Sequence, residues 1–384
     1  MPRTKRRKKK EMWINIAVMI AAIALCFAIL EFALRFVFDA PLSCGLYSAD
    51  SENTYANKAN IDLKHKEAEY SVRYITNNDG IRDERDFGEK SPGTLRILTA
   101  GDSFAFGLGL NQNETFQHVM EKALQGSLGK KVEVINAGVG GYGTGQALNM
   151  INALIPKYNP DYVVFGFYNN DVPDGPVFGS LAFEDGCVIS KNAGSFRKFV
   201  LHLRSYQLYQ GYRNMLLLGS DSIRNFLYRA RGLLSGAGVS QGARIGTPVI
   251  DVARIDSLKG AWRASLEGIS SMDAACREDS CRFILVYIPD KIQVYSGFRE
   301  RYLSENNIGS ESIDIGLPSR MVAALSSSAG IESVDLMQEF SKINIEGRNI
   351  SAYYDYDPHF NAKGAELWGS ILAEKIEGME NGKE

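Results

Sequence analysis

Short apolar runs and helix-like stretches alternate along most of this 384-residue chain. Stretches with apolar residues three and four positions apart, the spacing of one helix face, begin near residues 113, 144, 256 and 361. Strands that alternate with helices predict an α/β fold, a three-layer α/β/α sandwich around a mostly parallel sheet. Glycine or polar turns bound the apolar runs, which are typical of buried strands and lie at 96–100, 131–137, 161–167, 282–289 and 333–336.

The N-terminus has a different pattern, a single long apolar run behind a basic tail. The 19 residues from 12 to 30 carry no charge, which is close to the ~20 residues needed to cross a bilayer. We therefore predict a basic cytoplasmic tail at 1–11 and a transmembrane anchor at 12–38, with the rest of the chain outside the cytoplasm by the positive-inside rule. A cleaved signal peptide is the alternative, but the run is long for one and no small-residue cleavage site ends it.

The α/β pattern lapses for about 85 residues after Asn170. We predict one enzyme domain at 95–380 that is interrupted by an insertion at about 172–255. The insertion contains predicted helical stretches at 196–232. Inserted loops at strand ends often shape substrate binding. The polar residues 39–94 form a predicted juxtamembrane segment, in which the alternating run at 70–76 indicates a strand and a turn.

Charge is unevenly distributed and argues against a nucleic-acid partner. The net charge is −2, but residues 1–10 carry seven basic side chains and no acid, so the remainder carries −9. An acidic body of this kind lacks the basic face that nucleic-acid binding needs.

Cysteine usage agrees with an exported domain. Cys44, Cys187, Cys276 and Cys281 all follow the predicted anchor and allow up to two disulfides, which persist in oxidising compartments. Cys276 and Cys281 flank a short polar turn, so we expect them to be the likelier pair. Zinc is disfavoured because no histidine lies near them.

The stretch from Arg96 to Gly107 is the strongest candidate for chemistry. An apolar strand ends at Gly101 and delivers Asp102 and Ser103 into a glycine-punctuated turn. Open α/β sheets build their sites at the carboxyl ends of strands, so Ser103 is a candidate nucleophile. The alternative is that Ser103 caps a helix, since serine is a favoured N-cap residue.

Three later strand ends carry polar residues that could complete such a site. The glycine-rich run 138–143 formally satisfies a dinucleotide-binding fingerprint, which normally has an acid at the end of the next strand to hold the ribose. Here the acid, Asp161, stands at the start of that strand, so we predict no cofactor. Asn169–Asp171 offers amides at the following strand end. His359 follows an acid, Asp357, by two residues just before the last predicted helix, and it suits the role of a base held in one tautomer.

Taken in order, these stretches resemble a known family. Gly101-Asp-Ser103, Asn136-Ala-Gly-Val-Gly-Gly141, Asn170-Asp171 and Asp357-x-His359 resemble the four blocks of the SGNH (GDSL-type) hydrolases. The resemblance covers about residues 75–170 and 280–378. The flanking stretches 76–82 and 288–291 look like those of membrane-anchored bacterial members.

The resemblance implies a flavodoxin-like fold and a role for each matching residue. Ser103 would be the nucleophile, with His359 as base and Asp357 as acid. Ser103, Gly141 and Asn170 would form the oxyanion hole. Many members read Asp-x-x-His, where this chain has Tyr356 and reads Asp-x-His, so Asp355 remains an alternative partner for the imidazole.

The implied activity is that of a serine esterase or acyl hydrolase acting outside the cytoplasmic membrane through an acyl-serine. Expected substrates are ester-bearing small molecules, lipids or glycans, and no metal or organic cofactor is needed. One alternative is an O-acyltransferase that modifies an envelope or extracellular polysaccharide with acetyl groups, together with a multi-span acyl-donor protein. A second is a non-catalytic glycan-binding or assembly protein. Hydrolysis and transfer differ only in the acyl acceptor, which the sequence does not specify.

Overall fold

A computed structural model of the protein describes residues 2–37, 42–67, 69–172, 181–184, 186–190, 194, 199–200, 203–209, 248–305 and 308–382. The strands are β1 Tyr47–Asp50, β2 Thr54–Asn57, β3 Asp62–Lys66, β4 Ser71–Ile75, β5 Leu95–Gly101, β6 Val132–Asn136, β7 Tyr162–Tyr168, β8 Leu181–Glu184, β9 Cys187–Ser190, β10 Arg282–Ile288 and β11 Glu332–Asp335. The helices are α1 Pro2–Val37, α2 Leu42–Gly45, α3 Ser103–Phe106, α4 Phe116–Leu128, α5 Thr144–Tyr158, α6 Ile255–Glu278, α7 Lys291–Val294, α8 Ser296–Glu305, α9 Leu317–Ala329, α10 Leu336–Ile343 and α11 Ala362–Glu380.

Five strands form one central parallel sheet in the order β6–β5–β7–β10–β11. Numbered along the chain this order is 2-1-3-4-5, which is that of flavodoxin-like folds. β5, β6 and β7 are buried along almost their whole length because helices cover both faces of the sheet. The predicted three-layer α/β/α architecture is confirmed.

Two separate cores hold the layers together. On one face, α5 and α6 pack on the sheet around buried residues such as Ile151, Trp262 and Ile269. On the other face, α4 and α11 pack together, and the rings of Phe116 and Trp368 stack with their centroids 3.6 Å apart. The helices predicted from sequence periodicity lie within a few residues of those observed, and the last begins after Asn361, whose side chain caps it.

The N-terminal helix α1 contains a stretch, Lys9–Leu34, that is long and apolar enough to cross a membrane, with a mean hydropathy of 2.6. Residue 38, at the end of the predicted anchor, lies outside the described residues. The buried carboxylate of Glu31 accepts hydrogen bonds from the backbone N–H groups of Arg204 (2.8 Å) and Ser205 (3.0 Å). The described part of the insertion therefore contacts the apolar helix.

Two small antiparallel hairpins follow the apolar helix and pack on the domain beside the central sheet. They are β1–β2 and β3–β4, and the second contains the predicted alternating strand. Their buried aromatic residues form a third cluster with residues that follow β5 and β6. This cluster is made of Leu46, Tyr47, Tyr55, Val72, Tyr74, Phe106, Val139 and Tyr142.

The expected disulfide between Cys276 and Cys281 is wrong, because both are free and buried, whereas Cys44 is bonded to Cys187. Cys276 lies in the last turn of α6 and Cys281 just before β10, so both side chains enter the core on that face of the sheet. The bonded pair is 143 residues apart in sequence and is brought together where α2 packs against β9. Short spacing in the sequence does not predict the bonded pair of cysteines, because the packing of distant segments decides which thiols meet.

Two further parts of the fold were not predicted. The insertion contains a β-hairpin, β8–β9, before the predicted helical stretch 196–232, most of which lies outside the described residues. Between β10 and β11 the chain forms α7, α8 and α9.

Candidate active site

Three of the predicted site residues lie at the carboxyl ends of neighbouring parallel strands. β5 is flanked by β6 and β7, and its last residue, Gly101, pairs with Gly166 of β7. Chain order reverses on either side of β5, and such a switch point is where flavodoxin-like folds bind their ligands. Ser103 follows β5, Gly141 follows β6 and Asn170 follows β7, so these three residues come from adjacent strand ends.

The turn after β5 requires glycine and presents Ser103. Gly101 has φ of +144°, and a Cβ there would lie 2.7 Å from the carbonyl oxygen of Gly166. Asp102 is the N-cap of α3, and its side chain accepts a hydrogen bond from the N–H of Phe104 at 2.8 Å. The alternative in which Ser103 caps the helix is wrong, because Asp102 occupies that position and leaves the serine hydroxyl for another partner.

That partner is His359. Its Nε2 lies 2.7 Å from Oγ of Ser103, and its Nδ1 lies 2.6 Å from Oδ1 of Asp357. A carboxylate can only accept here, so Nδ1 carries the proton and Nε2 is free to accept the serine proton. The ring of Phe104 lies against the imidazole with centroids 4.8 Å apart.

The acid beside the imidazole is Asp357. Burial raises its pKa, but the hydrogen bond and charge of His359 outweigh burial, and the net pKa is lowered. Its second oxygen, Oδ2, accepts a hydrogen bond from the hydroxyl of Tyr70 at 3.3 Å. Asp355 is exposed, and its backbone N–H binds Glu69. The carboxylate that contacts the imidazole is therefore that of Asp357.

The glycine loop after β6 lies beside Ser103 and contacts two tyrosines. A Cβ on Gly140 would lie 3.9 Å from Cβ of Ser103 and only 2.4 Å from the hydroxyl of Tyr47. Gly141 has φ of +80°, and Tyr55 donates a hydrogen bond to the carbonyl of Gly140 at 3.0 Å. The first hairpin thus packs directly on the loop in which we predict an oxyanion donor.

Asn170 lies near the carboxyl group of Asp102, and its side chain lowers the pKa of that carboxyl group. Burial raises the pKa of Asp102, while its hydrogen bonds and the charge of His359 oppose the rise. Burial, and then the charge of Asp102, raise the pKa of Asp171 well above the ordinary aspartate value. This shift favours the neutral form of Asp171 and limits the negative charge beneath the site.

Arg82, which we did not predict to have a role, braces the C-terminal end of α3, the helix that contains Ser103. Its fully buried guanidinium donates hydrogen bonds to the carbonyls of Phe106, Gly107 (2.6 Å) and Leu110. Burial lowers the pKa of Arg82 to about 10, which still leaves it charged at neutral pH. A helix only four residues long is held at its C-terminus by this cation.

Arg82→Met is expected to lower the free energy of unfolding by about 3 kcal/mol, because buried carbonyls lose their donors. Denaturation of the full chain in detergent, followed by near-ultraviolet circular dichroism, measures the change. Arg73→Met is the control, since Arg73 is exposed and pairs with exposed Asp62. Equal stability of the Arg82 variant and wild type would contradict the bracing role.

The other described histidines have different surroundings. His65 contacts the hydroxyl of Tyr74 at 3.2 Å and the carboxylate of Glu67 at 3.4 Å, and His118 lies on α4. His202 lies outside the described residues. Among the residues that the structure describes, His359 alone of the histidines is hydrogen-bonded to both a serine and an aspartate.

A scan against protein-family models found no match, and a search of curated proteins found none either. A search of solved structures found chains of similar fold. A lipase/acylhydrolase from Enterococcus faecalis has 15% identity and a TM-score of 0.40, with 74% of this chain and 96% of that chain covered. The psychrotrophic esterase EstA from a Pseudoalteromonas species has 13% identity and a TM-score of 0.38, with coverage of 74% and 98%. A catalytic mutant of the acetylxylan esterase Axe2 from Geobacillus stearothermophilus has 12% identity and a TM-score of 0.37, with coverage of 73% and 94%.

These three structures are described as a lipase/acylhydrolase and two esterases. Their identities are at most 15% and their TM-scores at most 0.40, so any activity has to be argued from the residues of the site itself.

Proposed function

We propose that this protein is an SGNH-type serine hydrolase that acts on ester bonds through an acyl-serine intermediate. The observation that carries the proposal is the continuous hydrogen-bonded chain from Asp357 through His359 to Ser103. A serine hydroxyl is a weak nucleophile, and a base within hydrogen-bond reach, itself oriented by an acid, is the arrangement that activates it.

In the first half-reaction, Nε2 of His359 takes the proton of Ser103 as Oγ attacks the ester carbonyl. Asp357 stabilises the imidazolium that forms. Collapse of the tetrahedral intermediate breaks the bond to the alcohol oxygen. The alcohol leaves with the proton from His359, and the acyl group stays on Ser103.

The charge on the tetrahedral oxygen needs fixed donors, which we assign to the backbone N–H groups of Ser103 and Gly141 and to the side chain of Asn170. Their positions at three adjacent strand ends support this assignment. Loss of one such donor typically costs on the order of 10²–10³ in kcat.

In the second half-reaction a water or another hydroxyl attacks the acyl-serine, with His359 again as base. Water gives hydrolysis, and a glycan hydroxyl gives acyl transfer. We propose hydrolysis as the primary activity. Transfer of acetyl to an extracellular polysaccharide is the alternative, and it requires a multi-span partner to bring acyl groups across the membrane.

The test is turnover of p-nitrophenyl acetate by the full chain in detergent, together with labelling by a fluorophosphonate probe. We expect hydrolysis and a single probe adduct on Ser103, located by peptide mass spectrometry. Absence of both would contradict the proposal and favour the second alternative, a non-catalytic glycan-binding or assembly protein. Acetyl transfer that exceeds hydrolysis when a polysaccharide is added would favour the transferase.

We further propose that the catalytic domain lies outside the cytoplasmic membrane, anchored by residues 12–38. The basic residues before the apolar helix and the Cys44–Cys187 disulfide support this location, since disulfides persist in oxidising compartments.

Protein taken from cells with an alkylating agent present is expected to show three free thiols when denatured, those of Cys26, Cys276 and Cys281. Reduction should raise the number to five, because the bond between Cys44 and Cys187 opens. Mass spectrometry with two isotopically distinct alkylating agents makes the count. Five free thiols without reductant would contradict an oxidising location for the domain.

A further inference from the structure

The loop that carries both Asp357 and His359 is held by side chains from distant parts of the chain. This loop, residues 354–359, has no helix or strand and is closed at its base by a single bridge between Tyr353 and Phe360. A loop of this kind has no ladder of backbone hydrogen bonds to fix its path, so its geometry depends on what its N–H groups bind.

Glu69 binds most of these N–H groups. Its carboxylate accepts hydrogen bonds from the backbone of Asp355 at 2.6 Å, Tyr356 at 3.0 Å and Asp357 at 2.7 Å. Glu69 lies in the turn between β3 and β4, almost 290 positions away in sequence. One anion thus fixes three consecutive peptide groups of the loop, ending at the acid itself.

Lys291 binds the carbonyl groups of the same loop. Its Nζ lies 2.8 Å from the carbonyl oxygens of both Tyr354 and Asp355. Burial lowers the pKa of Lys291, and the charges of Asp355 and Glu69 oppose that effect. The cation of Lys291 binds the carbonyl oxygens and the anion of Glu69 binds the N–H groups, so together they hold this part of the loop through its backbone.

Tyr70, next to Glu69, reaches the acid directly. Its hydroxyl donates to Oδ2 of Asp357 at 3.3 Å, while its ring packs on that of Tyr354 with centroids 5.1 Å apart. Burial and the charge of Asp357 raise the pKa of Tyr70, so the hydroxyl keeps its proton and stays a donor. With Oδ1 on the imidazole, both oxygens of Asp357 have a fixed partner.

We propose that Glu69, Lys291 and Tyr70 are positioning residues, and that the turn between β3 and β4 is thereby a working part of the active site. Glu69 and Lys291 clamp the loop, and Tyr70 sets the orientation of Asp357. This inference rests on the proposed function, since it names residues that align the acid and base of that reaction.

The clamp matters because a triad depends on alignment. A displacement of about 1 Å can cost on the order of 10² in rate. Asp357 and His359 are two residues apart on one loop, so a change in the path of residues 355–357 moves the acid relative to the imidazole. Loss of the clamp should therefore slow the chemical step and leave substrate binding largely unchanged.

Glu69→Gln and Lys291→Met in the full chain are each expected to lower kcat for p-nitrophenyl acetate by about 10- to 100-fold, with KM changed less than about threefold. Lys291→Arg keeps a donor on the carbonyls and should recover most of the rate. The double variant should be little slower than the slower single one, because both residues act on one loop. Tyr70→Phe, which removes a single oxygen, should cost about three- to tenfold.

Two matched controls test specificity. Glu67→Gln makes the same change two positions from Glu69, where the side chain contacts His65, and Tyr356→Phe removes an exposed hydroxyl from the same loop. Both should keep wild-type rates, and thermal unfolding of every variant separates lost alignment from lost folding. Tyr70→Phe carries the test if Glu69→Gln does not fold.

The outcomes are distinguishable. If the wild type does not hydrolyse the ester, the proposed function fails, and the positioning role fails with it. If the wild type is active and Glu69→Gln and Tyr70→Phe both stay within about twofold of it, only the positioning role is overturned. It is also overturned if the losses follow the unfolding temperature and Lys291→Arg recovers nothing.

Discussion

Ser103→Ala is expected to lower kcat for p-nitrophenyl acetate by about 10⁵-fold or more and to abolish labelling by the fluorophosphonate probe. The hydroxyl is 2.7 Å from Nε2 of His359, and its removal takes away both the nucleophile and the proton that the base accepts. The fold should not change, because the cap of α3 is Asp102 and not Ser103. Steady-state kinetics and mass spectrometry of the probe adduct measure the two effects.

Ser328→Ala is the matched control for this change. Ser328 is exposed on α9, and its hydroxyl binds only a carbonyl of the same helix, that of Leu325. It should keep the wild-type rate and the wild-type adduct. Residual activity of the Ser103 variant above about a hundredth of wild type would assign the hydrolysis to another nucleophile.

Much of the central fold could be predicted from the sequence, because its signals are local. Buried strands such as β5 and β7 are short apolar runs, and α11 has both a periodic apolar face and the capping residue Asn361. Such features depend on neighbours within a few positions. They also fix the order of strands and helices, from which a parallel sheet covered on both faces follows.

The candidate site residues could be predicted from the sequence for a related reason. Ser103 and Asn170 directly follow strands, and parallel strands end side by side, so a motif at one strand end predicts proximity to motifs at the others. His359 could be chosen because it shares a short loop with Asp357 just before the N-terminus of the last helix. The acid itself remained open between Asp355 and Asp357, because sequence spacing does not say which way a loop turns.

Contacts between distant segments could not be predicted. Glu69 lies in a charged stretch whose composition predicts a solvent-exposed turn, and Arg82 is one of many basic residues in the sequence. Both side chains bind backbone groups, and the pattern of side chains along the sequence does not indicate such contacts. The same limit explains the wrong disulfide, since Cys44 meets Cys187 where α2 packs against β9.

Asp357→Asn is expected to lower kcat by about 10⁴-fold. An amide in this place can donate to Nδ1 of His359, which favours the tautomer that cannot accept the serine proton, and it carries no charge to stabilise the imidazolium. The pKa of Asp357 is lowered, so the group stays ionised until the pH falls below the ordinary aspartate value of about 3.9. Loss of activity in mild acid therefore does not report protonation of Asp357.

Asp355→Asn makes the same chemical change two positions away and separates the two candidate acids. Asp355 is exposed, and its hydrogen bonds to Glu69 and Lys291 are made by its backbone, so its variant should stay within about threefold of the wild-type kcat. The kcat of each variant, measured between pH 5 and 9, gives the comparison. If Asp355→Asn loses as much as Asp357→Asn, the acid is shared between them. If Asp357→Asn keeps more than about a tenth of the rate, then His359 does not depend on this carboxylate for its tautomer.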